Sequence, residues 1–208
     1  MKGVPQTVRG WRATLANEWW RASTKPSVDT FRHAIGSQSH VRTLVGVLLA
    51  AVLGVGCSWV VHWLVHDPRQ DFMGLASMWV KSGTPAPVSS WVVVVPAGVV
   101  YGFYSFEIVL FIFARLLGGK GSFGAQSYAQ SLFYAPLALV QQVLVVVPVV
   151  GRVLFVLLAA SSLVPTTTSL KAAHGYSTAR AVLTWALPVI LNVLVVAGIV
   201  LWLTRGHQ

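Results

Sequence analysis

One short turn decides the fold: Arg115-Leu116-Leu117-Gly118-Gly119-Lys120-Gly121-Ser122-Phe123. It is basic and rich in glycine, and long apolar segments lie on both sides of it. An apolar helix of about 20 residues is long enough to cross the hydrocarbon core of a bilayer. The turn is therefore predicted to be a point where the chain leaves a membrane after one crossing and enters it again for the next.

The overall composition also indicates a membrane protein. Of the 208 residues, 55% are hydrophobic and only 10% are charged, whereas soluble domains carry about 25% charged residues. The formal net charge is +10, but the cations lie in the tail and the loops. No nucleic-acid recognition motif accompanies them, so we expect no nucleic-acid partner and instead expect contacts with anionic lipid headgroups.

Five apolar segments predict an all-α bundle of five transmembrane helices with an amphipathic N-terminal tail. The segments are residues 43–64, 90–117, 127–148, 153–170 and 179–203. Around them the chain divides into a basic cytoplasmic tail with an interfacial helix (1–42), a five-span membrane domain (43–203) and a short outer tail (204–208).

The distribution of cations predicts the orientation of the bundle. Of the 15 Lys and Arg residues, 11 lie in the N-terminal tail and in the turns near 115–120 and 171–180, and four lie on the other side. Because cytoplasmic loops carry the excess of Lys and Arg, the N-terminus is predicted to be cytoplasmic and the C-terminus outside.

The N-terminal tail contains apolar residues at helical spacing. Val8, Trp11, Leu15 and Trp19 fall on one face, and Trp20 follows directly. This pattern favours a helix lying in the headgroup region with Trp11, Trp19 and Trp20 at the boundary. The alternatives are chance periodicity in an unstructured tail, or tryptophans that pack on a partner subunit.

Small residues recur every four positions in two of the apolar segments. They are Gly46, Ala50, Gly54 and Ser58 in the first and Gly98 and Gly102 in the second. Such rows let another helix approach closely, so both are predicted helix-packing faces, although rows of this kind also arise by chance.

Glu107 is the most costly residue in the apolar segments, since a charge at the centre of a bilayer costs about 3 kcal/mol on insertion scales. The polar side chains that could meet it are Gln141, Gln142, Asn192, Tyr101 and Tyr104. We favour a structural hydrogen bond to Gln141 or Asn192 that fixes helix register. The alternative is a proton or ion relay, or a polar contact to a partner.

The glycine turn superficially resembles a phosphate loop, but it lacks the G-x-x-x-x-G-K-[ST] pattern. We interpret it as a tight turn at the cytoplasmic surface, with Arg115 and Lys120 near lipid phosphate. His174 lies in the second basic turn and is predicted to sit beside the first. The residues of this cytoplasmic surface are Arg115, Gly118, Gly119, Lys120, Gly121 and His174.

Catalytic, metal and cofactor sites are not predicted. Cys57 is the single cysteine, which rules out an intramolecular disulfide or a Cys-based metal cluster. His62 and His66 are four residues apart and could bind a metal, but an interfacial pair is favoured because no clear third ligand accompanies them. No nucleophile motif is present. We therefore expect a protein without a cofactor that is not an enzyme.

The order and spacing of several short motifs resemble those of the Yip1 domain family of multi-span membrane proteins. The matching positions are Pro26 and Phe31, the LGGKGSF-like turn at 117–123, Tyr134-Ala135-Pro136, Pro148 and Gly151, and the turn at 170–181. The resemblance implies a five-span bundle with a cytosolic N-terminus. The chain lacks the Asp-Leu-Tyr-Gly-Pro motif of the eukaryotic members that associate with small GTPases. It looks more like the bacterial branch, which implies the bacterial cytoplasmic membrane.

These observations lead to one expected function and two alternatives. We expect a scaffold or accessory subunit that binds membrane lipids and other integral membrane proteins, in a hetero-oligomeric complex or a homo-oligomer. The first alternative is a small transporter or channel with a polar path around Glu107, Gln141, Gln142 and Asn192. The second is a membrane-shaping or trafficking factor that acts through its N-terminal helix.

Overall fold

A computed structural model describes residues 8–65, 88–144 and 150–205. Eight helices lie in these ranges, and no strand does: α1 Val8–Thr24, α2 Val28–Ile35, α3 His40–Val65, α4 Val88–Leu116, α5 Phe123–Leu144, α6 Val150–Ser161, α7 Leu163–His174 and α8 Thr178–Arg205. The predicted all-α class is confirmed for the described part of the chain.

Three helical stretches are long and apolar enough to cross a membrane: Pro96–Leu116 in α4, Val153–His174 across α6 and α7, and Thr178–Gly198 in α8. A fourth is possible if Val28–Ile35 and His40–Gly54, which are bent by 118° at a short break, form one span. Large apolar side chains on α4, α6 and α8 are exposed, as expected for surfaces that face lipid. These helices indicate a membrane protein.

The predicted span at 153–170 corresponds to α6 and α7, which together form one candidate span from Val153 to His174. Ser162 joins the two helices in a right-handed helical conformation. Pro165 lies in the first turn of α7, where its missing N–H costs little. The Ser162 carbonyl accepts both the Thr166 N–H over 3.0 Å and the Thr166 hydroxyl over 2.8 Å. The last predicted span agrees closely with α8, whereas α5 begins earlier than residue 127.

Helix α5 is the central element of the bundle. It contacts α1, α2, α3, α4, α6 and α7, and every residue from 125 to 133 is buried. The polar side chains in this stretch are Gln126, Ser127, Gln130 and Ser131. Ser127 and Ser131 donate to carbonyls of α5 itself over 2.9 and 2.8 Å, whereas the Gln126 amide reaches a neighbouring helix.

The N-terminal helices pack on α5. Leu15 and Phe31 join Leu132 and Phe133 in one apolar cluster, and the rings of Phe31 and Phe133 meet edge to face at 6.0 Å. The Tyr128 hydroxyl adds a polar tie, donating to Glu18 over 2.6 Å.

The predicted boundary tryptophans have different environments. Trp19 packs over Gly46 of α3, where an added Cβ would lie 3.4 Å from the indole. Trp20 is exposed. Trp11 lies in α1, but its side chain is outside the described part. The apolar face of α1 is thus used partly within the chain itself.

The two small-residue rows differ in the structure. Gly46, Ala50 and Gly54 are buried, and α3 packs against α4 and α5, so the first row is a packing face within the chain. Gly98 and Gly102 are exposed, and a Cβ added at either would meet nothing within 4 Å. The second row is not covered by any residue that the structure describes.

Candidate functional site

The glycine turn ends α4 with a Schellman motif. The Gly119 N–H donates to the Ala114 carbonyl over 2.8 Å, and the Gly118 N–H donates to the Arg115 carbonyl over 3.0 Å. Gly118 has φ of 83°, a left-handed conformation that glycine adopts without the strain of a Cβ. This bond pattern satisfies two carbonyls at the end of α4.

The other two glycines are required by close approach of α7. A Cβ on Gly119 would lie 2.7 Å from Nδ1 of His174, and a Cβ on Gly121 would overlap the carbonyl of Ala173. The end of α7 therefore rests directly on the turn. His174 lies beside the glycine turn, as predicted. Its close approach explains why positions 119 and 121 carry no side chain.

His174 is held by both ring nitrogens. The Gly121 N–H donates to Nδ1 over 3.2 Å, so Nδ1 carries the lone pair. Nε2 lies 2.8 Å from Oε1 of Gln126 and therefore carries the proton and donates. This network assigns the ring as neutral, with the hydrogen on Nε2.

Gln126 continues the chain of hydrogen bonds to Glu107. Its Nε2 donates to the Glu107 carboxylate over 2.8 Å and to the Glu107 backbone carbonyl over 3.0 Å. Glu107, Gln126 and His174 are 1%, 0% and 3% exposed. The donors run in one direction, from the turn through α7 and α5 to α4. We call Gly121, His174, Gln126 and Glu107 the polar network.

The partner of Glu107 differs from the prediction, which favoured Gln141 or Asn192. Asn192 is exposed on α8 and Gln141 is half-buried on α5, while the side chain of Gln142 is outside the described part. In the described part of the chain, no hydrogen bond joins Gln141 or Asn192 to Glu107. Sequence reasoning placed residues by depth along each helix, but Gln126 reaches Glu107 because the start of α5 runs inside the bundle.

Gln126 was missed, although the sequence carries a signal for it. Gln126 and Gln130 are four residues apart, as are Ser127 and Ser131, in a stretch with apolar residues on both sides. Buried polar groups at helical spacing indicate contact with polar groups on neighbouring helices. Which helix supplies the contact depends on tertiary packing.

Arg115 stabilises the outer side of the turn. Its guanidinium lies 5.0 Å from the centroid of the Phe111 ring, and Nη1 donates to the Gly119 carbonyl over 3.3 Å. The Lys120 N–H donates to the His174 carbonyl over 3.4 Å, while the Lys120 side chain is exposed. The turn thus keeps a cation at its surface beside the buried network.

Tyr176 connects the network to α8. Its ring stacks on His174 with centroids 5.4 Å apart, and its hydroxyl lies 2.8 Å from Oγ1 of Thr184. Burial raises the pKa of the Tyr176 phenol, and the hydrogen bond with Thr184 opposes that shift. The phenol therefore stays protonated at neutral pH and supports the imidazole as a neutral, packed ring.

The side-chain donors and acceptors of His174 and Gln126 are already used in hydrogen bonds within the polar network. Both nitrogens of His174 are engaged, and the side chain of Gln126 has its oxygen and its nitrogen hydrogen-bonded. Among the described residues, no group of three or more His, Cys, Asp or Glu could hold a metal ion. His66 and the side chain of His62 lie outside the described part, and Cys57 is a free thiol.

Comparison of the chain with protein families, with characterised proteins and with solved structures finds no match. The class of protein is therefore defined by the fold and the site alone. It is a helical membrane protein whose helices are tied together by a buried polar network beneath a glycine turn.

Proposed function

We propose that this chain is a five-span, non-enzymatic membrane protein that acts as a scaffold or accessory subunit and binds other membrane proteins and lipid. Three apolar helices support three of the spans, and we take α3 and α5 as the other two. The cation bias supports a cytoplasmic N-terminus and an outer C-terminus. Membership of the Yip1 domain family, and with it the bacterial cytoplasmic membrane, is part of this proposal.

The observation that carries the proposal is the closure of the polar network. Glu107 is satisfied by the side chain of Gln126, and Gln126 is satisfied by His174. The described side chains that were candidates for a polar path, Gln141 and Asn192, do not join it. Hydrogen bonds of this kind fix the register of helices in a membrane, which suits a rigid binding partner better than a carrier.

The uncovered glycines on α4 are the surface on which we expect a partner helix. Gly98 and Gly102 are exposed within a membrane-spanning stretch, and Tyr101 beside them is 77% exposed. Small residues let two helix backbones approach closely, and an aromatic side chain at the edge adds contact area.

Site-specific photocrosslinking tests this proposal in the native membrane. A benzophenone side chain at Tyr101 should give one discrete crosslinked product, and the change Gly98→Leu should abolish it. The matched control is Trp202 of α8, which is 74% exposed, and it should give only diffuse lipid and protein adducts. The same weak, diffuse products at both positions would overturn the proposal of a partner on this face.

Transport remains the second candidate because a buried carboxylate lies within a membrane-spanning helix. Glu107 is connected through Gln126 and His174 to the turn at the end of α4. Proteoliposomes carrying the chain test this directly, since a proton leak that disappears in Glu107→Gln would favour transport. The membrane-shaping alternative has less support, because α1 packs on α5.

A further inference from the structure

An open cleft of about 420 Å³ lies between α1 and α2, away from the polar network. Its lining residues are Asn17, Trp20, Arg21, Thr24, Lys25 and Thr30. Asn17, Arg21 and Lys25 follow one another at intervals of four residues, so they form one row along α1. The cleft therefore gathers an amide and two cations along a single wall.

The unpaired charge of the cleft is positive. Arg21 and Lys25 make no ion pair in the described part of the chain, where the single ion pair joins Arg32 to Asp29 at 3.4 Å. Glu18 lines the adjoining cleft, where it accepts hydrogen bonds from Tyr128 and from Ser37. These neutral donors do not cancel the charge of Glu18, so Arg21, Lys25 and Glu18 together leave one excess positive charge, which can attract an anion.

The cleft lies near the end of a membrane-spanning helix. The other side of α2 carries Phe31 and Ala34 into an apolar cluster that Ala172 packs against, and Ala172 lies near the end of the span that finishes at His174. Trp20 at the rim is 69% exposed. Tryptophan concentrates at the level of lipid headgroups, so the cleft lies where headgroups are found.

We propose that the α1–α2 cleft binds the headgroup of an anionic phospholipid. The Arg21 guanidinium and the Lys25 ammonium pair with phosphate oxygens, the Asn17 amide donates a further hydrogen bond, and the Trp20 indole lies against the glycerol region. This inference rests on the proposed function in one respect, namely that the chain is embedded in a membrane and contacts lipid.

Binding of a fluorescent phosphatidylglycerol to the full chain in detergent micelles tests the site. The double change Arg21→Gln/Lys25→Gln should weaken binding by about thirtyfold, since each cation near an anionic surface contributes on the order of 1 kcal/mol. The charge-matched control is Lys171→Gln/Arg180→Gln, which removes two cations outside the cleft and should leave binding within about twofold of wild type. Equal loss in both double variants would overturn the proposal in favour of diffuse attraction.

Two further measurements distinguish a headgroup site from a free-anion site and from a loss of folding. Inorganic phosphate should not displace the lipid at millimolar concentration, and displacement would show a site for the free anion instead. Asn17→Ala removes one donor without changing charge and should weaken binding several-fold, so it tests the site even if the double variant is unstable. A further outcome is a wild-type chain that crosslinks a partner through position 101 and yet binds phosphatidylglycerol no better than phosphatidylcholine. That result would overturn the headgroup site and leave the proposed scaffold function standing.

Discussion

Gln126 donates both to the carboxylate of Glu107, over 2.8 Å, and to the backbone carbonyl of the same residue, over 3.0 Å. One side-chain amide thus satisfies the acidic group of α4 and an acceptor of the α4 backbone. Its own oxygen remains for His174 at 2.8 Å. The amide therefore links α4, α5 and α7 by hydrogen bonds. Its removal leaves the Glu107 carboxyl group on α4 and Nε2 of His174 on α7 without a partner.

Replacement of Gln126 should destabilise the bundle. Gln126→Leu leaves the Glu107 carboxylate and Nε2 of His174 without their partner, and unsatisfied buried groups of this kind cost about 1–3 kcal/mol each. Unfolding by sodium dodecyl sulfate, followed by tryptophan fluorescence, measures the loss. The matched control is Gln141→Leu on the same helix, where the side chain is half-buried and only a small change is expected. Equal stability of the two variants would contradict the network.

Glu107→Gln should be tolerated. The new amide oxygen can accept the hydrogen bond of Gln126 in place of the carboxylate, so the free energy of unfolding should change by no more than about 1 kcal/mol. Glu107→Leu removes the acceptor and should cost more. The same detergent unfolding assay compares them. An equally severe loss in Glu107→Gln and Glu107→Leu would contradict this and show that the negative charge itself is needed.

The turn should loosen when His174 is protonated. A proton on Nδ1 would face the Gly121 N–H, so a donor would replace the acceptor that holds the turn. The groups around the ring are Arg115 at the turn, Glu107 behind Gln126, and the stacked Tyr176.

Hydrogen exchange across residues 117–123 measures this effect. After correction for the intrinsic pH dependence of exchange, protection should fall on acidification in the wild-type chain. In His174→Asn the amide oxygen replaces Nδ1 as acceptor without titrating, so its protection should stay level with pH. Identical pH profiles in the two chains would show that the ring does not control the turn.

Gly121→Ala should prevent α7 from resting on the turn. The added Cβ overlaps the Ala173 carbonyl, and forced backbone shifts of this type cost about 1–3 kcal/mol. Gly56→Ala in α3 is the control, because a Cβ there meets nothing within 4 Å and alanine favours helix by up to about 1 kcal/mol. The midpoint temperature of thermal unfolding in detergent should therefore fall for Gly121→Ala and rise for Gly56→Ala. A shift in the same direction for both variants would contradict the close packing of α7 on the turn.

The helices were largely predictable, whereas their partners were not. The apolar segments at 90–117 and 179–203 agree with the bounds of α4 and α8 to within about two residues, because the length and hydropathy of such a segment indicate a helix that can cross a bilayer. The polar partner of Glu107 and the packing of Trp19 on Gly46 depend on which helices are neighbours. Periodicity in one segment carries no information about its neighbour.

The most direct test of a scaffold or accessory role is purification of the tagged chain from its native membrane in mild detergent, with mass spectrometry and an absorption spectrum of the product. We expect a stoichiometric set of other membrane subunits, or a defined homo-oligomer, which Gly98→Leu/Gly102→Leu disrupts and Gly198→Leu does not. Gly198 is the control because it is likewise exposed on a spanning helix. A lone monomer, unchanged by either substitution, would contradict a scaffold or accessory role.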